Sequence, residues 1–297
     1  MAELAGTTFG AACALLSAFI WTLIGVVARA LTPYFSALSI NMLRSAVGGV
    51  LLTLVVVAAG GLGALRGVSP LAWVYLGISL VTAFAIGDTA FFESTKRLGL
   101  ARAMTISMIN PLIASALGVW LTGERITPAV AAGAAVTVAG VILIVSERAP
   151  ATPEAEDRPG GGLGLALLAA AAWGVSPVLM KPAIMDVDPV SVQAVRLPFA
   201  ALLLWVTPWA RGTGLRVRRH LRTAGPLLLA IGALTAMSAV TWVAGLKYAG
   251  ITVTTVLSST SPLFAIPLGL VVFGERVGRR AVAGTLLCLA GIALLSL

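Results

Sequence analysis

Runs of about 20 apolar residues recur along almost the whole of this 297-residue chain. No other feature restricts its fold as much. A helix of that length rises about 30 Å, the thickness of the hydrocarbon core of a bilayer. In hydrocarbon the backbone must satisfy its own hydrogen bonds, which a helix does within one segment. The spans are expected near residues 9–29, 36–59, 71–92, 100–122 and 127–146, then 162–181, 190–209, 224–244, 252–273 and 279–297. Only 10% of the residues are charged, against about 25% in soluble domains, so a soluble fold is excluded. The first apolar segment lacks a basic leading region and is longer than a signal-peptide core, so it is read as a helix. The fold class is therefore an all-α integral membrane protein of ten transmembrane helices.

Self-similarity organises these helices. The stretch from Glu147 to Gly162, rich in Pro, Gly, Ala and acidic residues, reads as a linker. It separates a first five-helix repeat, residues 1–147, from a second, residues 162–297, with 148–161 between them. Trp21 aligns with Trp173, Asn41 with Gln193 and Arg44 with Arg196, all 152 residues apart. After a one-residue shift, Gly99 aligns with Gly250, Ser107 with Ser258, Pro111 with Pro262, Gly123-Glu124 with Gly274-Glu275, Gly133 with Gly284 and Gly140 with Gly291. Chance likeness between two greasy halves would not keep charged, Pro and Trp positions in step. Five crossings is an odd number, so the second half must enter from the opposite side. Two inverted-topology five-helix repeats follow, an arrangement associated with alternating access around a midplane site.

The same residues carry a family likeness. An early Trp in each half, an Arg in each second helix, and fourth helices running from Asn110-Pro111 to Gly123-Glu124 and from Ser261-Pro262 to Gly274-Glu275 resemble the EamA-type domains of the drug/metabolite transporter superfamily. The resemblance covers nearly the whole chain twice. It implies that helices 1 to 4 and 6 to 9 surround a central cavity, with helices 5 and 10 outside. It also implies export of a small metabolite, often an amino acid or amphiphilic compound.

The net charge of +9 is a topology signal and not a nucleic-acid footprint. Fourteen Lys and Arg residues fall on the face of the 1/2, 3/4, 5/6, 7/8 and 9/10 loops, and four on the other. The positive-inside rule then places the first face in the cytoplasm of a multi-pass plasma (inner) membrane protein, with both chain ends outside. The resemblance implies the ends inside; the charge count, read from this chain, is the one followed. The basic run Arg216 to Arg222, with His220, reads as an ordinary cytoplasmic loop. Cys13 and Cys288 read as packing residues, and no spacing suggests a metal site or a cofactor.

Ionisable groups within spans cost roughly 2.5 to 3.5 kcal/mol each on insertion scales, so they mark the places to look for chemistry. Arg44 lies on one helical face with Asn41, three residues earlier, and Gln193 with Arg196 repeats the pair. Inversion puts the two Arg residues near opposite sides of the membrane. Asp88 and Glu93 return toward Arg44, whereas their alignment mates are Ala239 and Ala244. Arg44 then has an internal acid and Arg196 does not, which makes Arg196 the better candidate for a substrate carboxylate or other anion. Glu124 is its rival partner, and a structural role, with each Arg locking helix ends, is the competing reading. Asp88 is the candidate for proton coupling; a static salt bridge to Arg44 competes with that role.

Ser107 and Asn110, with Ser258 and Ser261, form polar stripes suited to a cavity wall or to hydrogen bonding between helices. Trp21 and Trp173 sit mid-span and offer a flat apolar wall with one N–H donor each; plain packing is the alternative. Phe91 and Trp242 are candidates to close the mouths. Pro111, Pro262 and Pro177 permit kinks. Gly133 and Gly140, with Gly284 and Gly291, present close-packing faces on helices 5 and 10, through which a homodimer is conceivable beside a monomer. No nucleophile with a base, no paired catalytic carboxylates and no phosphate-cradling loop appear, so an enzyme is not expected. A secondary transporter is favoured, with a lipid or head-group flippase, or a lipid-modifying enzyme, as the rival.

Overall fold

The computed structural model describes residues 2–60, 68–107, 109–122, 128–146, 159–185, 187–274 and 278–294. In the first half α1 (Ala2–Leu31) and α2 (Ala37–Ala58) are followed by α3 (Pro70–Leu80), which runs through a π-helical stretch, Val81–Asp88, into α4 (Thr89–Leu98). Then come α5 (Leu100–Ser107), α6 (Asn110–Thr122) and α7 (Pro128–Ser146). The second half repeats the succession with α8 (Pro159–Ile184), α9 (Pro189–Trp205), α10 (Thr213–Tyr248), α11 (Gly250–Ser258), α12 (Ser261–Phe273) and α13 (Arg279–Leu294). Among the described residues, five helical runs are long and apolar enough to cross a membrane by themselves: 6–31, 37–58, 70–98, 161–181 and 208–248.

The expected fourth and ninth spans are each broken in two. Pro111 and Pro262 sit in the first turns of α6 and α12, where a ring without an N–H costs no helical bond. Gly99 and Gly250 open α5 and α11 with φ of 81° and 82°, a conformation that glycine adopts without penalty. Pro177, by contrast, leaves α8 unbroken. The basic run Arg216 to Arg222 is not a loop but the first turns of α10. Arg and Leu are good helix formers, and between Gly214 and Gly225 the chain offers no Gly or Pro to stop the helix. His220 there lies beside Tyr34, ring centroids 5.2 Å apart.

Packing interleaves the halves. α1 lies along α10, α2 along α9, and α8 along α3 and α4. α7 and α13 pack on each other, and their glycines make the approach close. A Cβ on Gly140 would stand 2.6 Å from the Gly284 carbonyl, and one on Gly291 would stand 2.7 Å from that of Gly133. The glycine faces expected to offer a dimer contact are therefore buried against each other within one chain. The outer surface is apolar, with Val271, Leu54 and Leu229 exposed, while Arg44 and Arg196 are buried. That inside-out arrangement fits a hydrocarbon solvent.

Candidate functional site

A cavity opens between the helices. Its walls come from α1, α2, the π-helical stretch, α6 and α8 to α12, and none of its lining residues belongs to α7 or α13. This matches the division into central and peripheral helices that the family likeness implied.

One wall is a polar knot around Asp88. The π-helical stretch widens the helix just where Asp88 sits, and such segments recur at functional sites. One Asp88 carboxylate oxygen pairs with a terminal nitrogen of Arg44. The other accepts a hydrogen bond from Trp173 Nε1 at 2.9 Å. Arg44 also donates from Nε to Asn41 Oδ1 at 3.2 Å and from Nη1 to Thr235 Oγ1 at 3.3 Å. Asn41 in turn donates to the Phe84 carbonyl and to Thr89 Oγ1. The guanidinium lies 5.0 Å from the Phe92 ring centroid and 5.3 Å from that of Trp21. A buried charge needs both a counterion and satisfied donors, and Arg44 has both.

Arg196 is differently placed. It donates to Ser79 Oγ at 2.8 Å and to the Met180 sulfur, with the Phe84 ring 5.5 Å away. Its Nε is buried without a partner, and it forms no ion pair among the described residues. Both Arg side chains stand over the same ring, Arg44 at 5.9 Å, so they do not lie near opposite sides of the protein. Three other polar atoms on the cavity wall are also buried and unpartnered: Trp21 Nε1, Gln193 Oε1 and Ser258 Oγ. Native proteins leave few such groups, and these four gather around one cavity.

The sequence signature of the EamA-like transporter family matches residues 8–146 and again residues 160–297. The chain belongs to the EamA-like transporter family. It is a multi-pass, all-helical membrane transporter with two EamA domains. An uncharacterized transporter of Archaeoglobus fulgidus is 28% identical to it over 221 residues, 74% of each chain. A crystal structure 20% identical to it covers 98% of this chain and 96% of its own, with a TM-score of 0.64, and has the same fold.

Within this EamA-like chain the residues singled out in the sequence are largely brought together. Trp21, Arg44 and Asp88 from the first half meet Trp173, Gln193 and Arg196 from the second at the cavity. Asn110, Ser258 and Ser261 line it as well. Ser107 does not: it is buried away from the cavity and donates to the Ala166 carbonyl at 3.3 Å. Phe91 guards no mouth, being wholly buried against Trp21 and Trp173. Trp242 does line the cavity, whereas Glu93 pairs with Lys96 and Arg97 on α4. Glu124 and Glu275 lie outside the described residues.

Sequence reasoning missed Ser17, Ser176, Thr235 and Ser238, all on the cavity wall. A signal existed. Ser17 lies four residues before Trp21, Ser176 three after Trp173, and Thr235, Ser238 and Trp242 form a stripe at steps of three and four.

Proposed function

We propose that this EamA-like protein is a secondary active transporter that exports a small metabolite, such as an amino acid or an amphiphilic compound, by alternating access. In this reading ten spans form two inverted-topology five-helix repeats, residues 1–147 and 162–297, joined by the linker 148–161, around the cavity. The protein sits in the plasma (inner) membrane with both chain ends outside. Arg196 and Gln193 anchor the substrate's polar end, with Arg44, Asn110, Ser258 and Ser261 around them and Trp21 and Trp173 as the apolar wall. Asp88 is the coupling group: protonating its carboxylate loosens the ties to Arg44 and Trp173, and losing that proton restores them.

The observation that carries this reading is the set of four buried, unpartnered polar atoms on one cavity wall. Ser45 Oγ and Thr254 Oγ1 are other such atoms off the cavity, but the four on the lining can all be reached by one ligand in the cavity. Ser107, expected from the sequence to join this set, lies off the cavity with its hydroxyl committed to the Ala166 carbonyl.

Purified protein in liposomes carrying an imposed pH gradient tests the proposal. Saturable flux from a metabolite pool that dissipates the gradient is expected. Asp88→Asn should keep exchange and lose the response to the gradient, and a response that survives removes Asp88 from coupling. Redistribution of labelled lipid without soluble flux would instead support the flippase alternative.

A further inference from the structure

The charges on the cavity wall narrow the substrate further, an inference that rests on the transport reading above. Among the described residues, the ionisable side chains that line the cavity are Arg44, Arg196 and Asp88. Asp88 is engaged on both carboxylate oxygens, by Arg44 and by Trp173. No carboxylate therefore remains to receive an ammonium group, while Arg196 keeps a full charge without an ion pair among the described residues. The wall carries one excess positive charge in a setting of low dielectric, where uncompensated charge is expensive. Phe84 lies beside that charge, 5.5 Å from the guanidinium, and the rest of the lining is mostly apolar. Trp21 and Trp173 meet edge to face at 5.4 Å, and Trp242 lies on the same cavity.

We propose that the cavity selects a substrate with one net negative charge on an apolar body, seated with its anionic group at Arg196. Zwitterions and cations with the same body are discriminated against, so of the two classes proposed above the amphiphilic compounds are retained and zwitterionic amino acids are not. The anion completes the charge of Arg196 and offers an acceptor to its buried Nε–H. Trp21 Nε1 and Ser258 Oγ, both unpartnered, are further donors toward the same guest. A substrate ammonium would meet only neutral acceptors, chiefly Gln193 Oε1, beside a repelling guanidinium.

Three probes sharing one ring separate the classes: 3-phenylpropionate is an anion, phenylalanine a zwitterion and phenethylamine a cation at neutral pH. Binding of each to the purified wild-type protein in nanodiscs is read by quenching of tryptophan fluorescence and by thermal shift. Expected is saturable binding of the anion about tenfold or more tighter than either of the others, the scale of one charge-assisted hydrogen bond. Arg196→Gln should abolish the preference. Arg196→Lys, which keeps the charge but not the Nε–H, should retain the preference at reduced affinity, so a folding failure of the first variant leaves the claim testable. Equal or tighter binding of phenylalanine or phenethylamine, or no binding of any probe, overturns the charge assignment. Liposome flux separates this from the transport reading. Selective binding with no flux defeats transport but not the site, and flux of zwitterions or cations alone defeats the site but not transport.

Discussion

At the scale of single residues, the Arg44 and Asp88 pair is the least tolerant point of the molecule. Removing one member of a buried pair leaves the other charge uncompensated, at a cost of about 3–5 kcal/mol. Asp88→Asn keeps an acceptor for Trp173 but strands Arg44, so detergent-solubilised protein should melt several degrees lower. Arg44→Met combined with Asp88→Leu should recover much of that loss, and a double mutant no more stable than Asp88→Asn would mean that the pair is not the source. Gly87 is the second such point. A Cβ there would stand 2.6 Å from two atoms of the Trp173 ring, so Gly87→Ala should push the indole off Asp88. An overpacking cost of about 1–3 kcal/mol is expected, with altered tryptophan fluorescence as the direct readout; unchanged emission would show that the ring had not moved. Sequence spacing made the pairing of Arg44 with Asp88 legible, because both fall on helices that return to one side. It did not make the bond from Trp173 to Asp88 legible, since that needs α8 packed on the π-helical stretch, a tertiary fact without a local signature.

At the scale of helices, hydrophobic length located the five helical runs that are long enough to cross a membrane among the described residues, and what it missed follows from its blindness to backbone breaks. The run 100–122 reads as one span by hydropathy, yet it is two helices, α5 and α6. The run Arg216 to Arg222 reads as a loop by charge, yet it continues α10, because helix propensity and hydropathy diverge for arginine. The seven-residue glycine spacing on helices 5 and 10 announced close packing but not the partner, which is the other helix of the same chain. Gly140→Leu should therefore wedge α7 from α13 and lower the melting temperature. It should leave binding of 3-phenylpropionate intact, since neither helix contributes a residue to the cavity lining. Loss of binding with unchanged melting would reverse the assignment of these helices as peripheral.

At the scale of the whole molecule, the charge asymmetry makes a claim about handedness in the membrane that chemical labelling can decide. Fourteen Lys and Arg residues on one face against four on the other should retain the first face in the cytoplasm. In a background lacking Cys13 and Cys288, a cysteine introduced at Leu4 or at Ser296 is expected to react with a membrane-impermeant maleimide in intact cells. One introduced at Ala155, in the linker, should react only after the cells are opened. The reverse pattern would set the ends inside, as the family likeness implied, and would show that the loops of this chain do not determine its insertion. A third pattern bears on the mechanism itself. Each half with an odd number of crossings must put the linker on the side opposite both ends, so labelling of linker and ends from the same side would make the halves parallel copies. Alternating access by exchange of two inverted halves would then fail, even though the cavity between them, and on its wall Arg196, without an ion pair among the described residues, would stand.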